Sequence, residues 1–319
     1  MRKVSVIFLA VVLAGSFAGC EKHKKDSASS KNVIRLESFK PKVAFKGEIV
    51  FQSDADGDNE IYLLTQQGVS KLTDNTWNDE YPRWSPDGKK IAFMANPEEG
   101  YEVFIMNRDG TEITQLTKDA GSRIGFSGLS WYPDGQKIAF SVEKKKGFLR
   151  NYTTWVIDVA TKKLEKLAPQ HQDEWATPNF SPTGNSLGLT AKKTIGWDVA
   201  VYDFETEKLT FLTEGGKACR PQFSKDGQKI AYVSSAADGK GDIWVMNPDG
   251  SGQTRITERD ETFDYFPSWS PGRRRIVFCS SLKHYPYEGK WALFLVNVDT
   301  KKVVPLLRSS RRDLFPDWR

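Results

Sequence analysis

The chain has 319 residues and a formal net charge of +5, a balance that at first sight suits a nucleic-acid partner. Residues 1–46, however, hold ten Lys/Arg against three Asp/Glu, so they supply +7 and leave the remainder at −2. A nucleic-acid-binding domain would carry the basic footprint itself, which excludes that class, and three Cys and three His leave little for a disulfide scaffold or a His-based metal centre.

The N-terminus begins Met1-Arg2-Lys3, continues as an apolar run from Val4 to Ala14, and reaches a small-residue site at Ala18-Gly19-Cys20. The apolar run is too short to span a bilayer and reads as a secretory signal over residues 1–19. Its end resembles a bacterial lipobox, with Phe17 where Leu is usual, so Cys20 is expected to become the lipidated first residue of the mature chain. Glu21 follows in place of the Asp associated with inner-membrane retention, which points to an outer membrane facing the periplasm. Residues 20–46 are polar, with Lys22, His23, Lys24, Lys25 and a Ser27–Ser30 stretch, and read as a flexible tether that acts as a spacer.

From residue 47 a cadence recurs. It reads Pro82-Arg83-Trp84-Ser85-Pro86-Asp87-Gly88, then Trp131-Tyr132-Pro133-Asp134-Gly135, then Pro178-Asn179-Phe180-Ser181-Pro182-Thr183-Gly184. It returns as Pro221-Gln222-Phe223-Ser224-Lys225-Asp226-Gly227 and Pro267-Ser268-Trp269-Ser270-Pro271-Gly272, and the chain stops on Pro316-Asp317-Trp318-Arg319. The aromatic steps lie roughly 43 to 49 residues apart, a propeller-blade period. In each copy an extended segment reaches the aromatic, a Gly-containing turn reverses the chain, and apolar runs such as Ile91-Ala92-Phe93 and Val103-Phe104-Ile105-Met106 follow as strands. Last strands end in Leu116-Thr117 or Ile256-Thr257, and no stretch after residue 46 keeps a helical period.

Four antiparallel strands per copy predict an all-β, six-bladed propeller. Its expected blades span residues 74–117, 118–168, 169–213, 214–257 and 258–313, with a first blade made from residues 47–73 and 314–319. The first copy lacks its Pro-x-Trp strand and the last six residues are such a strand with no blade attached. Pairing them closes the ring and leaves no radial edge open. The five adjacent copies of aromatic-Ser-Pro-Asp-Gly resemble the six-bladed propeller of the TolB family, over residues 47 to 319. The resemblance does not extend to the α/β domain that precedes the propeller in that family, so that domain's role cannot be carried over.

Chemistry is sparse. His171 sits beside Gln172, Asp173 and Glu174, and His284 among aromatics; neither has a ligand spacing, and no Gly-x-Ser-x-Gly elbow occurs. The run Asp54-Ala55-Asp56-Gly57-Asp58-Asn59-Glu60 has oxygen ligands enough for a hard cation, but its Gly is misplaced for an EF-hand loop and turn chemistry is the expected use. Cys219 and Cys279 are expected as free thiols. No catalytic residue, metal or cofactor is assigned.

Connectivity sorts the loops. First and third turns of each blade lie on one end of the ring and are tight. Second-to-third loops and blade crossings lie on the other and are irregular, aromatic and charged. The candidate partner-binding residues there are Trp77, Glu80, Arg123, Trp175, Arg220, Asp264, Tyr265 and Arg312, around the mouth of the central channel. The inner Trp84, Trp131 and Trp269 are expected in the core. The leading expectation is a lipid-anchored, non-enzymatic scaffold in the cell envelope that docks a protein partner. Glycan binding at the mouth, or a polysaccharide lyase like some larger propellers, are the alternatives.

Overall fold

Each Ser-Pro-Asp-Gly turn is held by its own side chains, which is why the cadence repeats. In blade 2 the Ser85 hydroxyl donates to Asp87 and accepts the Lys90 N–H, while Asp87 also takes the Lys89 N–H. Ser224, Asp226, Gln228 and Lys229 repeat this in blade 5, and Gly88 and Gly227 supply the positive φ that the reversal requires. The computed structural model describes residues 36–319 apart from 99, 119–125, 147–148, 169–173, 194–195, 283–288 and 310.

Six four-stranded antiparallel sheets result, each running from an inner strand outward. The inner strands are Leu314–Trp318, Asp79–Trp84, Phe126–Trp131, Trp175–Phe180, Ala218–Phe223 and Phe263–Trp269 for blades 1 to 6. Every inner strand contacts the inner strand of the next blade, all the way round, so they enclose an axis. The expected closure is present. Leu314–Trp318 pairs antiparallel with Ile49–Ser53, with Ile49 opposite Trp318 and Val50 opposite Asp317, and Glu48 and Arg319 exchange two backbone hydrogen bonds of 2.9 Å.

Adjacent blades are joined at the aromatic step. The backbone N–H of Trp84, Phe180, Phe223 and Trp318 donates to a side chain one residue before the aromatic of the preceding blade: Asp317, Ser130, Asn179 and Ser268. The indole N–H groups of Trp131 and Trp269 reach back to the carbonyls of Arg83 and Gln222. Trp84, Trp131 and Trp269 are therefore core, as expected.

A second regular device explains the terminal Leu-Thr and Ile-Thr pairs. The hydroxyls of Thr73, Thr117, Thr213 and Thr257 accept the N–H groups of Ile61, Val103, Val199 and Ile243. The same hydroxyls donate to the acid that opens the third strand: Glu60, Glu102, Asp198 and Asp242. Outer strands of only two to five residues are thereby fastened to their sheets.

Residues 36–46, expected from composition as part of a flexible tether, are instead bound to the ring. Leu36 and Phe45 are buried in the blade 1–blade 6 core, with Phe39 and Val43 packed against it. The Phe45 ring meets Trp318 edge-on at 5.9 Å, the Trp318 indole donates to Lys46 O at 2.8 Å, and Arg275 donates to Ala44 O at 2.7 Å. Four apolar residues within ten suffice to bind residues 36–46 as a strap over the ring's seam.

Candidate functional site: the loop-rich face and the channel mouth

Loops and crossings share one face, as connectivity predicts. The crossing before blade 2 hydrogen-bonds to the second-to-third loop of blade 1 (Asp79 N–H to Asn59 O, 2.7 Å; Asn59 N–H to Asn78 Oδ1, 3.1 Å). An equivalent bond joins Asp264 N–H to Gly241 O, and within blade 4 the crossing residue Glu174 accepts, at its carbonyl, the N–H of Lys192 at the end of the second strand. Trp77, Trp175 and Tyr265 thus belong to crossings on the same side.

Their exposure differs, and two expectations need correction. Trp77 is at the surface, 36% exposed. Trp175 is not: at 3% exposure it packs 5.1 Å from Tyr202 in the blade 4 core, because the crossing has already entered the sheet there. Asp264 is also inaccessible, at 0% exposure, accepting the Thr262 and Ser280 hydroxyls with Arg259 3.6 Å away. Glu80 is half-buried and accepts from Asn59 Nδ2 at 2.7 Å. Arg312 pairs with Asp54 at 2.8 Å. Tyr265 is half-buried, with the Arg220 guanidinium 5.5 Å from its ring centroid. Arg123 lies outside the described residues, as do Cys20, His171 and His284.

A set of buried acids underlies this face. Burial pushes Glu60, Asp242 and Asp313 up to about 7, against the stabilising hydrogen bonds each accepts. It also raises Asp79, Glu80 and Asp264. In the Asp54–Glu60 run, Asp56, Asp58 and Glu60 bring carboxylate oxygens within 4.8 Å of one another. The Lys71 ammonium occupies that space, 2.5 Å from Asp56 and from Asp74 and 3.6 Å from Glu60, so a side-chain cation already balances it. Cys219 and Cys279 are free thiols.

Arg220 apart, the residues that shape the channel were missed from sequence, although a signal for them was present. In every inner strand the register slips three residues before the aromatic, as a β-bulge. The bulged residues have positive φ: Tyr81, Thr177, Arg220, Phe266 and Phe315 each precede a proline, and the sixth is Gly128. A proline inside a strand is tolerated at a bulge, so the recurring Xaa-Pro marks the position. The Phe315 ring packs at a tilt 3.9 Å from Tyr81 and edge-on 4.1 Å from Phe266. The Arg220 guanidinium sits 4.6 Å from the Phe266 ring centre. Beside these rings lies a cavity of about 40 Å³, lined by residues of blades 2 to 6 that include Tyr81, Arg83, Thr177, Asn179, Arg220 and Phe266. Burial pushes the Cys279 thiol well up from the ordinary thiol range.

The family described as the TolB beta propeller domain matches residues 101–318. The chain belongs to the TolB β-propeller family. A second family, the N-terminal region of dipeptidyl peptidase IV, matches residues 40–142. The Tol-Pal system protein TolB of Francisella tularensis is 26% identical over 70% of this chain and 52% of its own length. Dipeptidyl-peptidase 5 of Porphyromonas endodontalis is 24% identical over 71% of this chain and 33% of its own. The chain thus spans a third to about half of the length of these curated relatives. The crystal structure of TolB from Acinetobacter baumannii superposes with a TM-score of 0.69 at 20% identity, covering 85% of this chain and 66% of that one, which shows the shared fold.

Proposed function

We propose that this TolB-family ring is a non-enzymatic interaction scaffold of the cell envelope, exported by residues 1–19, lipidated at Cys20, and docking a protein partner across its loop-rich face. The observation that carries this reading is the asymmetry of the ring: one end consists of self-satisfied turns, the other carries the irregular loops and crossings, with Trp77, Tyr265, Arg220 and Arg312 in them or at the strand starts that follow. Aromatic and Arg side chains on a rigid scaffold suit anchoring to a protein surface. Similarity to a protein named for the Tol-Pal system supports an envelope setting.

The strap supports an orientation. Residues 36–46 lie against the third turn of blade 1, where Phe45 N–H donates to Gln66 and Phe39 O approaches Gly68. That turn is on the tight-turn end. A chain tethered through Cys20 therefore approaches from that end and turns the loop-rich face away from the membrane. A glycan occupant is less favoured, because Phe266 and Phe315 are buried and the axial rings Tyr81, Phe266 and Phe315 pack against one another.

Crosslinking capture from an envelope extract with the full chain as bait tests the reading. Trp77→Ala and Arg312→Ala are expected to reduce recovery of a captured protein at least tenfold without changing the melting temperature by more than a few degrees. Unchanged capture by both would move the docking site elsewhere.

A further inference from the structure

We infer that the tight-turn end of the ring, over the strap and blades 1, 5 and 6, is a docking surface for an anionic phospholipid membrane. The inference rests on the lipid-anchored orientation proposed above and specifies what the end opposite the loops meets.

Charge is placed unevenly on the ring. Residues 36–319 hold 39 Lys/Arg and 39 Asp/Glu and are neutral as a whole. The strap and the chain leaving it, residues 36–48, carry Lys40, Lys42 and Lys46 against Glu37 and Glu48. The first turn of blade 6 leads into the run Arg273-Arg274-Arg275 with no acid, and that of blade 5 has Lys225 and Lys229 against Asp226. With Arg319 these segments hold nine Lys/Arg and three Asp/Glu, a net +6. The same turns of blades 2 to 4 hold only three Lys/Arg and two Asp/Glu, so the excess belongs to the seam side. Farther out, the third turns of blades 1, 5 and 6 do not cancel it: Asp249 and Asp299 are matched there by Lys301 and Lys302.

The basic segments adjoin one another. Arg275 donates to Ala44 O at 2.7 Å, the Trp318 indole donates to Lys46 O at 2.8 Å, and Arg273 pairs with Asp226 of the blade 5 turn. Glu48 is likewise engaged, by Arg108 and Arg319. Lys40, Lys42, Lys46, Lys225 and Arg274 are exposed and have no ion pair among the described residues. Such a spread of cations without a pocket suits a flat anionic surface, where each Lys/Arg within a Debye length of about 8 Å adds to the attraction.

The tether selects the membrane over other anions. Fifteen residues separate Cys20 from Leu36, and fully extended they reach about 50 Å. The strap they join lies on this same end, where Phe45 N–H donates to Gln66 in the third turn of blade 1. An anchor at Cys20 thus holds the basic side, and not the loop face, next to the bilayer.

The exported, processed full chain would be partitioned onto sedimenting vesicles of phosphatidylcholine alone and of equimolar phosphatidylcholine and phosphatidylglycerol. The anchor acts on both, so the ratio of the two partition coefficients reads the surface. Because each cation near an anionic surface contributes about fivefold, the combined Lys40→Gln, Lys42→Gln, Lys46→Gln and Arg274→Gln variant is expected to lower that ratio at least tenfold. High ionic strength should lower it similarly in the wild-type chain. Exchanging Lys for Arg and Arg for Lys at the four positions should preserve it, and since all four side chains are exposed the melting temperature should not move. A wild-type ratio near one, a ratio unchanged in the Gln variant, or a loss produced only by Lys22→Gln, Lys24→Gln and Lys25→Gln in the tether overturns the surface. Tighter binding of polyglutamate than of the anionic vesicles also overturns it and assigns the end to an acidic protein. Absence from the neutral vesicles would instead refute the lipid anchor while leaving the charge preference standing, so the two readings fail separately.

Discussion

Asp313 opens the strand that closes the ring, and its replacement by Asn probes how the loop face responds to pH. The carboxyl is fully buried, accepts the Ser309 and Ser53 hydroxyls, and is pushed up to about 7 by burial from an ordinary 3.8. A folded-state value above the unfolded one means that the folded chain binds the extra proton. The stabilisation is complete below about pH 4 and is lost as pH rises through about 7. Three pH units at ~1.4 kcal/mol each make this worth on the order of 4 kcal/mol between pH 4 and pH 8. Asp242 and Glu60, both shifted to about 7 by burial, act in the same direction. Urea unfolding at pH 5, 6, 7 and 8 should therefore show the wild-type chain losing stability with rising pH, and Asp313→Asn losing distinctly less. A variant with the wild-type slope, or stability that increases from pH 5 to pH 8, would refute the reasoning.

Other substitutions test the joints between blades. Trp318→Ala removes a fully buried indole, its bond to Lys46 O and its contact with Phe45, and should cost about 3–5 kcal/mol in denaturant unfolding. Asp317→Ala unpairs the Trp84 N–H and the Ser268 hydroxyl and should cost about 1–3 kcal/mol. Phe45→Ala should release the strap, exposing residues 36–46 to limited proteolysis while the blades stay intact. Lys71→Met leaves Asp56 and Glu60 without their cation and should destabilise blade 1 at pH 8 more than at pH 5, as read by thermal melts.

Much of the architecture was legible because a blade is a local unit: its turn residues, aromatic and apolar runs recur within about 45 residues. Closure was legible because a strand deficit at Gly47 matched a surplus at Phe315. Local patterns could not show depth. Trp175 and Asp264 stand in the same irregular crossings as Trp77, yet two residues of advance take a side chain from solvent into the sheet. The bulge was missed for a related reason. Xaa-Pro-x-Trp reads as extended chain, and only the pairing shows that the pre-proline residue takes positive φ and borders the axis. The strap was hidden by its polar neighbours, although Leu36, Phe39, Val43 and Phe45 were there to be read.

The seam at the two chain ends positions everything else, and hydrogen–deuterium exchange over residues 314–319 examines it directly. Trp318 and Arg319 N–H groups, bonded to Ser268 Oγ and Glu48 O, should exchange as slowly as the inner strands of blades 2 and 5. Exchange at the rate of an unpaired tail would contradict the closed ring and, with it, the single docking face.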